Sequence, residues 1–265
     1  MNSVFLLRLA FDLIAAGLLL LGLAYWWLGN TVHELVGTGM FLLVIVHNVF
    51  NRRWYGRLSR TRREARGLID IGLTLLLLVA MLALLVTSVL ISHALSGFMS
   101  AYGGFTVRQI HTLAAYWVLV LVSIHLSLRW PIIMGAARNL FGIDKPSGLR
   151  TLVLRVAAVA IAIHGVWSSF ELGVGTRLAM RVTLDWWNFE ESVAAFFIHC
   201  VAIAGLYMVP TYYAMTWIRH RKRRPPPLGR AAAIPRGQGA SARPALRGQS
   251  LSEGSTADTD QRVIG

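Results

Sequence analysis

TVHELVGTGMFLLVIVHNVFNRR, residues 31–53, decides how this chain is to be read. After Glu34 no charged residue occurs before Arg52, so the stretch is long and apolar enough to approach a membrane span. Its two histidines, His33 and His47, are fourteen positions apart. On an α-helix that spacing is about 21 Å of rise and only about 40° short of four full turns, so both rings face one side at different depths. TVRQIHTLAAYWVLVLVSIHLSLRWP, residues 106–131, repeats the layout with His111 and His125, again fourteen apart.

The rest of the chain agrees with a membrane setting. Of 265 residues 55% are hydrophobic and only 14% charged, where a soluble domain carries about 25% charged residues. Apolar runs place six spans at 4–28, 31–51, 68–92, 110–130, 151–170 and 193–218. The expected fold class is therefore all-α integral membrane, a polytopic helical bundle of about six transmembrane helices. The first span is longer than the apolar core of a signal peptide and lacks a small-residue cleavage site, so it reads as retained.

The net charge of +14 would suit nucleic acid, but its distribution does not. Arginines collect in NRRWYGRLSRTRREAR (51–66) and RHRKRR (219–224), just outside apolar runs. Such clusters orient spans and meet anionic lipid. They imply a multi-pass protein with both termini cytoplasmic, and no nucleic-acid partner. Trp186 and Trp187 suit an aromatic belt at the outer interface. From 221 the sequence turns to Arg, Pro, Ala, Gly and Ser, which cannot bury enough apolar surface to order itself. Residues 221–265 read as a disordered basic cytoplasmic tail. The single cysteine, Cys200, excludes an internal disulfide, and no CxxCH is present to tether haem covalently.

In this topology spans two and four run the same way across the bilayer. His33 and His111 then share one depth near the outer face, and His47 and His125 another near the inner face. Ionisable groups inside spans are costly and usually functional. Two opposed imidazole pairs are what axial ligation of two non-covalent b-type haems requires, with His33, His47, His111 and His125 as the iron ligands. Such ligation favours electron transfer over binding of a small ligand. TVHE (31–34) and TVRQ (106–109) match capping boxes that would open each helix. Gly37 and Gly39 suit either close approach of a flat macrocycle or tight helix packing. Arg108, Arg129, Arg52 and Arg53 are candidate partners for propionates.

HELVGTGMFLLVIVHNVFNRRW (33–54), GLIDIGLTLLLLVAMLALLVTSVLIS (67–92) and IHTLAAYWVLVLVSIHLSLRW (110–130) resemble the flavinylation-associated cytochrome family of small bacterial membrane cytochromes. The paired spacing is also similar to the cytochrome b of quinol-oxidising complexes. The resemblance covers roughly residues 8–135. It implies a four-helix haem core in the bacterial inner membrane, moving electrons to or from extracytosolic flavin-bearing partners. One departure is Arg129, where relatives are expected to carry a histidine or an aromatic residue.

On this reading residues 1–135 form the haem-binding core and 136–220 two additional transmembrane helices. His164 and His199, at similar depth in the added spans, suit a hydrogen bond between helices, a third haem, a proton relay or a quinone head group, the first being preferred. Arg8 and Asp12, one turn apart, are expected to pair. No nucleotide, phosphate-loop or zinc-protease motif is present. Electrons must therefore come from a partner protein or a quinone. Two other classes stay open, a quinol oxidoreductase or ferric-reductase-like subunit, and a transporter or sensor whose histidines carry protons or metal.

Overall fold

In hydrocarbon every backbone amide must bond within its own segment or a closed barrel, so unbroken apolar runs fold as helices. The computed structural model describes residues 3–52, 65–92, 104–143, 147–182 and 186–222, all helix or short connection with no strand among them. Among the described residues seven helices follow in order: α1 (Ser3–Leu23), α2 (Tyr25–Phe50), α3 (Ala65–Ile91), α4 (Phe105–Leu140), α5 (Gly148–Glu171), the short α6 (Val174–Leu178) and α7 (Val193–Lys222). Six of them, all but α6, are long and apolar enough to cross a membrane. The chain is a polytopic helical bundle. Large apolar side chains such as Leu76, Val79, Leu82 and Ile163 lie exposed on its surface, as the outer face of a membrane bundle requires.

Neighbours in sequence pair antiparallel. Along α1 and α2, Phe11 stacks on Phe50 and Asp12 bonds His47, while Leu18 approaches Gly39 further along. The reversal between them is tight. Ala24 alone separates the helices, fully buried. Gly29 then takes φ 70° and ψ 175°, a region that a side chain disfavours. α3 pairs with α4 through Thr87–His111 at one end and Asp70–Arg129 at the other. α5 lies along α7 with very small separation. A Cβ at Gly165 would run into the Ala202 carbonyl, and one at Gly205 into Ile161 Cγ2. Small residues at a membrane helix interface permit such an approach. The Ser127 hydroxyl donates to the Met208 carbonyl at 2.9 Å, joining α4 to α7.

The apolar core forms layers. Leu19, Met40, Met81, Leu84 and Val118 pack together at mid-bundle. Met40 is seven residues from both His33 and His47, and Val118 seven from both His111 and His125. This apolar layer lies between the two histidine levels.

Several expectations need correcting. The fourth span does not stop at 130, because α4 continues through Pro131 to Leu140. Proline removes one helical bond, which a membrane helix tolerates when neighbours compensate. Neither capping box forms as expected. Gly104, not Thr106, is the N-cap of α4, and Thr106 lies inside the helix. In α2 the break falls at Gly29, so Thr31 already lies inside the helical segment that follows the kink, and Glu34 is held by Asn30 at 2.9 Å. The expected loop 171–192 contains α6. Arg53, His93 and the segment 223–265 lie outside the described residues, as does the side chain of His220.

Candidate functional site

The histidines of α2 and α4 meet at matched levels. His33 and His111 face each other with ring centroids 6.0 Å apart and planes at 71°. Fourteen residues further along both helices, His47, Asp12, Asp70 and Arg129 lie within electrostatic reach of His125. α2 and α4 therefore run in the same direction.

A neighbouring helix fixes one ring in each pair. Thr87 of α3, almost wholly buried, has its hydroxyl oxygen 2.9 Å from His111 Nδ1. That hydroxyl already donates its proton to the Ala83 carbonyl at 2.7 Å. Nδ1 of His111 must then be the donor, which leaves the Nε2 lone pair available as a ligand. Asp12 of α1 accepts from His47 Nδ1 at 2.6 Å and imposes the same tautomer. Asn51 reaches His47 Nε2 at 3.2 Å and also donates to the His47 carbonyl, so a metal at that nitrogen would displace one amide contact. Nδ1 of His33 and of His125 are buried with no hydrogen-bond partner. The Gly22 backbone lies against the His33 ring. The Arg8–Asp12 pair expected from the sequence does not form, since Asp12 bonds His47. Arg8 instead sits 5.8 Å over the Phe50 ring.

Around His33 and His111 opens a cavity of about 770 Å³, within the range of roughly 300–1,000 Å³ typical of ligand and cofactor sites. Its wall includes Phe41, Ala115 and Tyr116, with Arg108, Arg177 and Arg181 among its polar groups. Gly37 also lines it, and a Cβ there would meet nothing within 4 Å. Gly37 thus faces open space and not a packed helix, whereas Gly39 makes ordinary contact with Leu18.

The donor set suits a tetrapyrrole. Two imidazoles holding one metal between them at metal–nitrogen distances of about 2.0 Å would have ring centres roughly 6 Å apart, and those of His33 and His111 are 6.0 Å apart. Among the described residues no three His, Cys, Asp or Glu side chains gather as a metal-ion group.

Among the expected propionate partners, Arg108 lines the cavity and Arg52 is exposed at the end of α2. Arg129 is committed to Asp70, 3.2 Å from both carboxylate oxygens. The sequence reading missed Thr87 as a partner for His111, Asp12 as a partner for His47, and the arginines of the α6 region. His164 and His199 do come together. Their rings stack at 5.5 Å and 21°, and His199 Nδ1 bonds the Ser168 hydroxyl at 2.8 Å. No family model, curated protein or solved structure matches this chain.

Proposed function

We propose that this chain is a di-haem b-type cytochrome that carries electrons across a membrane. The observation that carries the reading is the His33–His111 pair, whose ring centres lie 6.0 Å apart beside a large, mostly apolar cavity. The equivalent positions of α2 and α4, His47 and His125, would hold the second group. A bound haem supplies a one-electron carrier, its iron alternating between ferrous and ferric states.

The chain's own residues account for the rest. Thr87 and Asp12 hold one imidazole of each pair in the tautomer that can ligate. The mid-bundle layer of Leu19, Met40, Met81, Leu84 and Val118 excludes water between the two levels. If these histidines held the iron from both sides, the group would favour electron transfer over small-ligand binding. The arginine distribution and the family resemblance support an inner-membrane setting, cytoplasmic termini and an extracytosolic flavin-bearing partner.

Purified protein should give a reduced-minus-oxidised difference spectrum of b-type haem. A pyridine haemochrome assay should return close to two haems per chain, extractable into acidified acetone. A stoichiometry near zero in well-folded protein overturns the proposal.

A further inference from the structure

Asp70 on α3 and Arg129 on α4 form an ion pair inside the apolar bundle, Nη2 of Arg129 lying 3.2 Å from both carboxylate oxygens. The Asp70 side chain is only 19% exposed, so its charge needs that partner. A pair of this kind adds little net stability, because desolvating two charges costs about as much as their attraction gains. Its place in the bundle calls for another account. The two bonds hold the guanidinium at one spot, where an unanchored arginine would snorkel toward water.

That spot is set by the helix. Arg129 follows His125 by four positions on α4, so the two side chains project from the same face. Asp70 reaches in from the neighbouring helix. Both charges act on His125, that of Arg129 more strongly than that of Asp70. The pair is thus a dipole with its positive end nearer the ring.

Across the same level, Asp12 places a carboxylate behind His47, 2.6 Å from Nδ1. Negative charge there disfavours the added electron of a ferrous iron, and positive charge favours it. At the level of His33 and His111 the corresponding ring partner is the neutral Thr87 hydroxyl. One level therefore carries a charge behind its ligand that the other lacks.

We infer that the Asp70–Arg129 pair is a fixed dipole that raises the midpoint potential of the group held by His47 and His125, offsetting the Asp12 carboxylate. The inference rests on the haem reading and adds a control that ligation alone does not supply. It also gives a role to Arg129, where this chain departs from the pattern expected of the family it resembles. The guanidinium acts through its field at the iron, held by Asp70 and not by a carboxylate of the cofactor.

The holoprotein is titrated potentiometrically with redox mediators, each step adding one electron to ferric iron to give ferrous iron. The component lost in His47→Ala is the inner one. Arg129→Gln should lower its reduction constant by at least about tenfold, which is about 59 mV for a one-electron couple. Asp70→Asn should move it the other way, by a smaller factor. The two substitutions together should fall between wild type and Arg129→Gln. Arg129→Lys keeps the charge and should stay close to wild type. The component of His33 and His111, about 21 Å away along the helix, should respond to none of them.

Unmoved potentials in all variants overturn the inference. So do shifts of Arg129→Gln and Asp70→Asn in the same direction, the mark of a structural clasp. Loss of the inner component from Arg129→Gln with the fold intact would make Arg129 a holder of the cofactor, and also overturns it. Where an amide variant does not fold, Arg129→Ser and Asp70→Ser leave room for water around the remaining charge and carry the same two signs. Absence of any b-type haem from well-folded protein overturns the underlying reading, whereas two haems with unmoved potentials overturn the dipole alone.

Discussion

Asp12 on α1 accepts a 2.6 Å hydrogen bond from Nδ1 of His47 on α2, across 35 residues of sequence. A carboxylate behind a ligating imidazole fixes its tautomer and raises its basicity. Asp12→Ala should therefore weaken haem retention at the His47–His125 level by about 10–100-fold, in line with losses on removing such partners. A less basic imidazole stabilises ferric iron less, so the midpoint potential of that haem should rise. Redox titration of Asp12→Asn checks this with little change of shape. An unchanged potential in both variants would leave Asp12 only a structural role.

Thr87 does for His111 what Asp12 does for His47, with a neutral oxygen. Thr87→Val keeps the shape and leaves the buried Nδ1–H without an acceptor, a cost of about 1–3 kcal/mol. About a tenfold loss of haem affinity at the His33–His111 level is the expected result, recovered by Thr87→Ser. The His47–His125 component should not respond.

The sequence made the histidine pairs legible because fourteen residues come close to four helical turns, and because each pair sits in an apolar run long enough to cross a bilayer. Thr87 and Asp12 were not legible in the same way. Each lies on a different helix from the ring it holds, 24 and 35 residues away, so no local spacing points to it. Asp12 was misassigned to Arg8 because a one-turn spacing on a single helix looked like a pair. The five residues of α6 are too short for periodicity, and buried Val174 gives them a packed face that composition does not reveal. The apolar run that marks the fourth span ends near 130, but α4 runs on through Pro131, which gives up only one helical bond.

Ligand substitutions should sort by level. His33→Ala and His111→Ala should each remove the same spectral component, and His47→Ala and His125→Ala the other. The matched approach of His33 to His111 at 6.0 Å requires that grouping. Loss of one component by His33→Ala and His125→Ala together would contradict a parallel arrangement of α2 and α4.

Between α5 and α7 the fit is steric. An added Cβ at Gly165 would overlap the Ala202 carbonyl, which belongs to the backbone and cannot rotate away. Gly165→Ala should destabilise the protein by about 1–3 kcal/mol, the usual cost of overpacking. At Gly205 the obstacle is the Ile161 side chain, so Gly205→Ala should cost less. Gly17, with nothing within 4 Å, is the control, and Gly17→Ala should be neutral or stabilising by up to about 1 kcal/mol. Thermal unfolding in detergent, followed by circular dichroism, ranks the three.

His164 and His199 pose the choice between structure and cofactor. Their rings lie 5.5 Å apart and nearly parallel, with Trp167 edge-on to both and Trp187 against His199. Ser168 links them further. Its hydroxyl donates to the His164 carbonyl at 2.8 Å, so it must accept from His199 Nδ1. The His199–Ser168 bond joins α7 to α5, the kind of interhelical contact that averages about 0.6 kcal/mol in membranes. His199→Gln should keep a donor near Ser168 and lower stability by about 1 kcal/mol or less, with haem content unchanged. His164→Gln, which loses only ring stacking, should cost about as much as an aromatic pair, roughly 0.5–1.5 kcal/mol. A third haem would instead make both variants lose one common spectral component while the other two persisted. A quinone site would leave every haem in place and slow reduction by a quinol analogue. Haem content, unfolding temperature and quinol-driven reduction, measured on both variants, separate these outcomes. Unchanged haem and unchanged reduction with a small loss of stability is the result the Ser168 contact predicts.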